Sequence, residues 1–241
     1  MALIRSKDRK VANQVNAGGT QASMANTFGL PSGKTYACPG ATSVCEKICY
    51  AGNLERVFKG VKTVLLSNWE QLQECGDNVL SMVQLIGPMI DDFKAEATKR
   101  NADKLFRIHW DGDFYSEAYT QAWAIVIKLN PDVQFWAYTR SDFAVPILIG
   151  IDNLSLYFSA DEANRDLAIE LKKIWGVKLA YLAKDFKTGK DDFAELQSKS
   201  AIPCPENNKK IKMISQSGSA CVLCSQCVFN RNDILFSASK K

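Results

Sequence analysis

Eight cysteines and one histidine dominate the chemistry available to this 241-residue chain. The cysteines fall in two groups and a singleton: Cys38, Cys45 and Cys49; Cys204, Cys221, Cys224 and Cys227; and Cys75 alone. Clustered cysteines in a chain with no export features are metal-binding or catalytic more often than disulfide-forming. The run Cys221-Val-Leu-Cys224-Ser-Gln-Cys227 is a C-x2-C-x2-C pattern, and Cys204 is followed by Pro205. That spacing wraps a backbone around one [4Fe-4S] cube and resembles bacterial ferredoxin ligation. The alternative is a structural zinc held by the same four thiolates. The first group, C-x6-C-x3-C on a loop with Gly and Pro over residues 36–52, suits a cluster with one iron left open to a ligand. One larger metal knot shared by all seven cysteines, or three buried thiols in the first group, are the plainer readings. His109 is the sole histidine, which excludes zinc sites built on two or three histidines and an HExxH protease.

These groups must be positioned by the elements between them. Residues 1–35 read as an irregular lead-in, Asn16-Ala-Gly-Gly-Thr20 included, with a short strand at 22–28. Helix-spaced apolar residues follow at Val61, Val64, Leu65 and Trp69, then at Val79, Met82, Val83, Ile86, Ile90 and Phe93, with Pro88 as a kink. Short apolar runs at 104–110, 133–139, 154–159 and 177–183 read as strands. The helices between them start at Ser116 and Asp161 as N-caps, and the second ends at Gly176. Strands separated by helices of crossover length imply parallel βα units: an α/β fold, a sheet or partial (β/α) barrel. The division expected is an α/β partial barrel over 1–200 and a cysteine-rich metal-binding extension over 201–241.

Ligands of such folds collect beyond the carboxyl ends of the strands. His109, Asp111, Asp113, Arg140, Ser141, Ser159 and Asp161 stand there. Asp111 and Asp113, flanking Gly112, suit acid–base work, a cofactor amine or a metal; the plain alternative is a strand-to-helix turn. His109, inside a strand, suits a satisfied core histidine, while strand alternation would aim it and Asp111 at one face. Arg140 suits a carboxylate or phosphate, or else a salt bridge to a neighbouring strand-end Asp.

Hydrophobic residues make up 46% of the chain, which excludes a disordered protein. No apolar run reaches the roughly 18 residues of a membrane span, and the charged N-terminus carries no secretory pattern, so a cytoplasmic protein is expected. The net charge of +4 divides unevenly. Residues 1–60 hold 8 basic and 3 acidic residues, 61–183 hold 12 and 17, and 184–241 hold 10 and 6. Basic charge thus accompanies the cysteines, where it offsets thiolates. Nucleic-acid contact through Lys209, Lys210 and Lys212 is the other use of it.

Two resemblances are carried by specific residues. Phe28-Gly-Leu-Pro-Ser-Gly-Lys-Thr-Tyr-Ala-Cys38-Pro-Gly-Ala, Cys45-Glu-Lys-Ile-Cys49-Tyr-Ala, Arg107-Ile-His-Trp-Asp-Gly-Asp-Phe-Tyr-Ser116 and Phe135-Trp-Ala-Tyr-Thr-Arg-Ser141 resemble the phage gene-product-88 family. That implies a phage origin, a host-cytoplasmic location and a metal. The cysteine loop ahead of the βα units, with its Cys-Tyr-Ala ending, is more distantly similar to radical SAM enzymes. This second resemblance implies a (β/α)6 partial barrel and a [4Fe-4S] cluster on Cys38, Cys45 and Cys49 with S-adenosylmethionine on its open iron. Asp113 would then meet the methionine amine, and Ser159 and Asp161 the ribose. Asp111, Asp113 and Arg140 become the candidate catalytic residues, and the C-terminal cysteines resemble an auxiliary cluster. The loop spacing differs from the C-x3-C-x2-C usual in those enzymes and only Gly112 precedes the acid. The competing expectation is a non-catalytic iron–sulfur or zinc protein acting in redox sensing or in nucleic-acid or host-protein binding.

Overall fold

The structure, a computed structural model, describes residues 2–6, 8–12, 15–16, 22–196 and 201–239. The lead-in stretch at 17–20 lies outside them. A curled half-barrel sheet carries the fold. Its strands are β1 (Val15–Asn16), β2 (Ala22–Thr27), β3 (Ala102–Ile108), β4 (Val133–Thr139), β5 (Leu154–Ala160), β6 (Lys178–Ala183), β7 (Ile202–Pro203) and β10 (Ile234–Ser237). The order is β1-β2-β3-β4-β5-β6-β10-β7. From β2 to β7 the seven strands are parallel, and β1 pairs antiparallel with β2. The strands expected at 22–28, 104–110, 133–139, 154–159 and 177–183 are β2 to β6. β7 and β10, from the cysteine-bearing tail, extend the same sheet, while β8 (Ile214–Ser215) and β9 (Gly218–Ser219) form a small hairpin.

The crossover helices are α3 (Lys59–Gln73), α4 (Val79–Lys99), α5 (Glu117–Leu129), α6 (Ala144–Leu148), α7 (Arg165–Trp175) and α8 (Phe186–Glu195). Their ends follow local chemistry. Ser116 Oγ accepts from Tyr119 N at 3.2 Å to start α5. Gly176, left-handed at φ 66°, ends α7. α4 runs through Pro88.

The sheet's central strands β4 and β5 are buried on both faces, which explains their near-continuous apolar sequences. One face, with Phe106, Ile108, Phe135, Ala137, Phe158 and Tyr181, packs on the helices as the main core. The other, with Ala25, Leu105, Trp136, Tyr157, Ala180 and Ile234, is covered by Val222, Val228 and Cys221, Cys227 and Cys204 of the tail. The tail thus lines the side of the sheet that the helices leave bare. No described helix is long and apolar enough to cross a membrane.

Candidate functional site

The loop expected at 36–52 is more helical than its Gly and Pro content suggests. Thr42 caps α1 (Ser43–Ile48), its Oγ1 accepting from Cys45 N at 3.0 Å. Cys49 caps α2 (Tyr50–Val57) through its own sulfur, which accepts from Gly52 N at 3.3 Å. Cys45 therefore lies on one short helix and Cys49 at the junction of two.

This segment sits on the carboxyl ends of the strands. A Cβ at Gly40 would overlap the Arg140 carbonyl at the end of β4, so the loop backbone lies directly on that strand end. Arg140 Nη1 is 2.8 Å from Asp161 Oδ2, and the Thr42 hydroxyl donates to the same oxygen at 2.6 Å. Asp161 is wholly buried; its Oδ1 accepts from Ala163 N at 2.9 Å, capping the 3-10 turn that leads into α7. Asp113 takes two backbone N–H groups, from Phe114 to Oδ1 and from Arg140 to Oδ2, both at 2.7 Å. Arg140 thus forms an ion pair with the next strand's Asp. Arg140 and Asp161 fasten the cysteine loop to the ends of β4 and β5, and Asp113 ties the end of β3 to that of β4.

Burial raises the Asp113 pKa to about 6 in spite of the two N–H donors. Asp111 goes further, to about 9, driven by burial and by the Glu55 carboxyl beside it. Its Oδ1 accepts from Gly112 N at 2.9 Å, while Oδ2 is buried with no partner at hydrogen-bonding geometry among the described residues. Glu55, on α2, accepts from Ser32 N at 2.9 Å and from the Ser32 hydroxyl. Burial, then the charges of Asp113 and Asp111, push the Cys38 thiol up. Burial also raises Cys45, against the pull of Arg140. Ser159 stands on the tail-facing side of β5, half-buried, and its carbonyl accepts from Asn164 Nδ2 at 3.1 Å.

His109 does not share a face with Asp111. β3 ends at Ile108, and φ of 62° at His109 breaks the alternation. The ring lies among Phe28, Phe114, Tyr119 and Trp123, with Nε2 2.8 Å from the Tyr119 hydroxyl. Burial lowers its pKa to about 3, so it is a neutral core histidine.

The second cysteine group lies on the tail-facing side of the sheet. Cys221 and Cys224 share the short helix α9 (Ala220–Cys224), Cys204 N donates to the Leu235 carbonyl at 2.8 Å, and Cys227 lies against Tyr138. The charges of Cys221, Cys204 and Cys224 all bear on Cys227. All eight cysteines are free thiols. Among the described residues no three His, Cys, Asp or Glu side chains are drawn up around one ion. The donor chemistry of each group nevertheless fits a thiolate-bound metal. The thiols are within electrostatic reach of one another, and burial disfavours their charged form, raising Cys221 to about 12, which is the penalty a bound cation offsets. Cys75 stands apart, its thiol donating to the Gln71 carbonyl at 3.6 Å on α3.

Thr42, Gly40 and Glu55 were not singled out from sequence. Thr42-Ser-Val-Cys45 has the spacing of an N-cap, which was the available signal for the first. Gly40 and Glu55 act through contacts with residues far along the chain, which spacing does not reveal.

The model of the gene product 88 family matches residues 1–231. The Gene 88 protein of Mycobacterium phage L5 is 48% identical over 244 residues, covering 99% of this chain and 99% of that protein. The Gene 88 protein of Mycobacterium phage D29 is 46% identical over 246 residues, covering 100% and 99%. No solved structure matches.

Proposed function

The chain belongs to the gene product 88 family, and we propose that it is an iron–sulfur protein of the phage-infected host cytoplasm built on a radical-SAM-like half barrel. Cys38, Cys45 and Cys49 would hold a [4Fe-4S] cluster at the mouth of the half barrel, with one iron open to a small ligand such as S-adenosylmethionine. Cys204, Cys221, Cys224 and Cys227 would hold a second metal centre. The observation that carries this reading is the placement of the three-cysteine loop. It is fastened by Arg140 and Asp161 over the carboxyl ends of the parallel strands, where folds of this kind bind ligands.

Cys38, Cys45 and Cys49 would hold the cluster, whose chemistry when bound and reduced would be one-electron reductive cleavage of S-adenosylmethionine. The chain's own part is to position and to hold protons. The Arg140–Asp161–Thr42 brace keeps Cys45 at the strand ends. Asp111, kept protonated by burial and by Glu55, would supply a neutral hydrogen-bonding acid at the mouth.

A second reading, a non-catalytic iron–sulfur or zinc protein in redox sensing or in nucleic-acid or host-protein binding, is favoured by one observation. Both Asp113 oxygens and the Asp161 carboxylate are already engaged inside the protein. Anaerobically purified, reduced protein incubated with S-adenosylmethionine separates the two. Release of 5′-deoxyadenosine supports the first reading; none, with the cluster intact, supports the second. A colourless protein containing zinc would sink the iron–sulfur assignment for both.

A further inference from the structure

The cysteine group of the tail is flanked by partly buried charge that the proposed function leaves unused. Arg107, on β3, places Nη1 3.1 Å from Asp8 Oδ2, and the two side chains are only 13% and 10% exposed. Its guanidinium stands over the Tyr138 ring, 5.2 Å from the centroid. Tyr138, Cys221 and Cys227 pack on one apolar cluster with Leu105 and Trp136. Lys10 pairs with Glu206 at 2.8 Å, two residues beyond Cys204. Its carbonyl accepts from Cys221 N at 3.0 Å, and the Val11 carbonyl accepts from the Ser219 hydroxyl at 3.0 Å, across 208 residues of sequence. Residues 8–11 therefore form a strap over the cysteine-bearing tail.

Burying a cation beside apolar residues is costly unless something compensates it. Asp8 and Glu206 compensate in part, and each holds its cation in place beside the strap. Four thiolates around a divalent metal leave a net charge of −2, as they do around a [4Fe-4S] core of charge +2. Arg107 and Lys10 are the cations that face that charge, each shared with its own carboxylate, in a setting of low polarity where Trp136, Tyr157 and Ile234 offer none.

We propose that Arg107 and Lys10 are the counter-ions of a four-thiolate metal site formed by Cys204, Cys221, Cys224 and Cys227, with Asp8 and Glu206 as the groups that position them. This rests on the reading that the tail cysteines bind a metal, but on neither iron nor zinc as its identity. Removing a cation would then weaken metal binding with the four ligands untouched, since binding must generate thiolates.

The test uses full-length protein with Cys38, Cys45 and Cys49 replaced by Ser, stripped of metal, kept reduced and titrated with Co2+. Thiolate-to-cobalt absorption reports occupancy of the tail site. Arg107→Met and Lys10→Met are each expected to lower the apparent affinity by about 10- to 100-fold, the usual cost of losing a group that supports metal ligands. Arg107→Lys should stay near the parent, and Asp8→Asn should bind more tightly because the cation loses its opposing charge. Parent-like affinity in both folded Met variants would overturn the proposal. So would an Asp8→Asn loss as large as that of Arg107→Met, which would indicate bracing in place of charge. Lys10 is 28% exposed and keeps the test decisive if Arg107→Met does not fold. Absence of thiolate–cobalt bands in the parent removes the site itself. Zinc found in the natural protein alongside the expected charge response refutes only the iron–sulfur reading.

Discussion

Replacing Asp161 by Ala is the sharpest test of how the cysteine loop is held. The change removes a carboxylate with three partners: Arg140 Nη1 at 2.8 Å, the Thr42 hydroxyl at 2.6 Å and Ala163 N at 2.9 Å. The Arg140 side chain is 10% exposed, so its charge is left buried without a partner. Breaking a buried pair from one side costs about 3–5 kcal/mol, and loss of an N-cap about 1 kcal/mol. These share one carboxylate and do not add, so about 4 kcal/mol is the expected loss. For a chain of this size that is roughly 8–16 °C in Tm. Asp161→Asn keeps one oxygen, which serves the cap but not Thr42 and Arg140 as well, and should lose less than Asp161→Ala. Thermal and urea unfolding measure both. An Asp161→Ala protein within about 0.5 kcal/mol of the parent, the range of an ordinary surface change, would refute the brace.

Three further outcomes follow from the same geometry. Gly40→Ala drives a methyl group into the Arg140 carbonyl, so the loop must lift from β4; faster alkylation of Cys38 and Cys45 than in the parent should report it, and unchanged rates would contradict the close approach. The Asp111 carboxyl keeps its proton in the folded chain to about pH 9 but loses it near its ordinary value when unfolded, so its contribution falls as pH rises from about 4 to 9. Asp111→Asn, which retains the acceptor for Gly112, should remove that part of the slope and be more stable than the parent at pH 8–9 in urea unfolding; an unchanged slope would show Asp111 ionised. Cys75→Ser should leave metal content unchanged, since Cys75 bonds only along its own helix turn, and a loss of metal would place it among the ligands.

The parallel strands β3 to β6 were legible because each is a short apolar run between polar turns, and α5 and α7 because Ser116 and Gly176 mark their ends. β7 and β10 were not, at two and four residues long, since so short a run carries no period. The strap was equally hidden: Asp8 and Lys10 gain meaning only from Arg107, Glu206 and Cys221, far away in sequence. Asp111, Asp113, Arg140 and Asp161 were legible as strand-end polar residues, yet their type does not distinguish a reacting group from a brace. The Arg140–Asp161 ion pair is a tertiary fact that their types do not reveal. Of the two readings of His109, the shared face with Asp111 fails because alternation holds only while the backbone stays extended, and at φ 62° it does not.

Iron and acid-labile sulfide per chain, measured after anaerobic purification, test the central claim most directly. Three proteins are needed: the parent, one with Cys38, Cys45 and Cys49 replaced by Ser, and one with Cys204, Cys221, Cys224 and Cys227 replaced by Ser. Two [4Fe-4S] centres give about eight irons in the parent and about four in each variant, with equal sulfide. Loss of all iron in either variant would mean one shared site, and a colourless parent with zinc and no sulfide would contradict the iron–sulfur account.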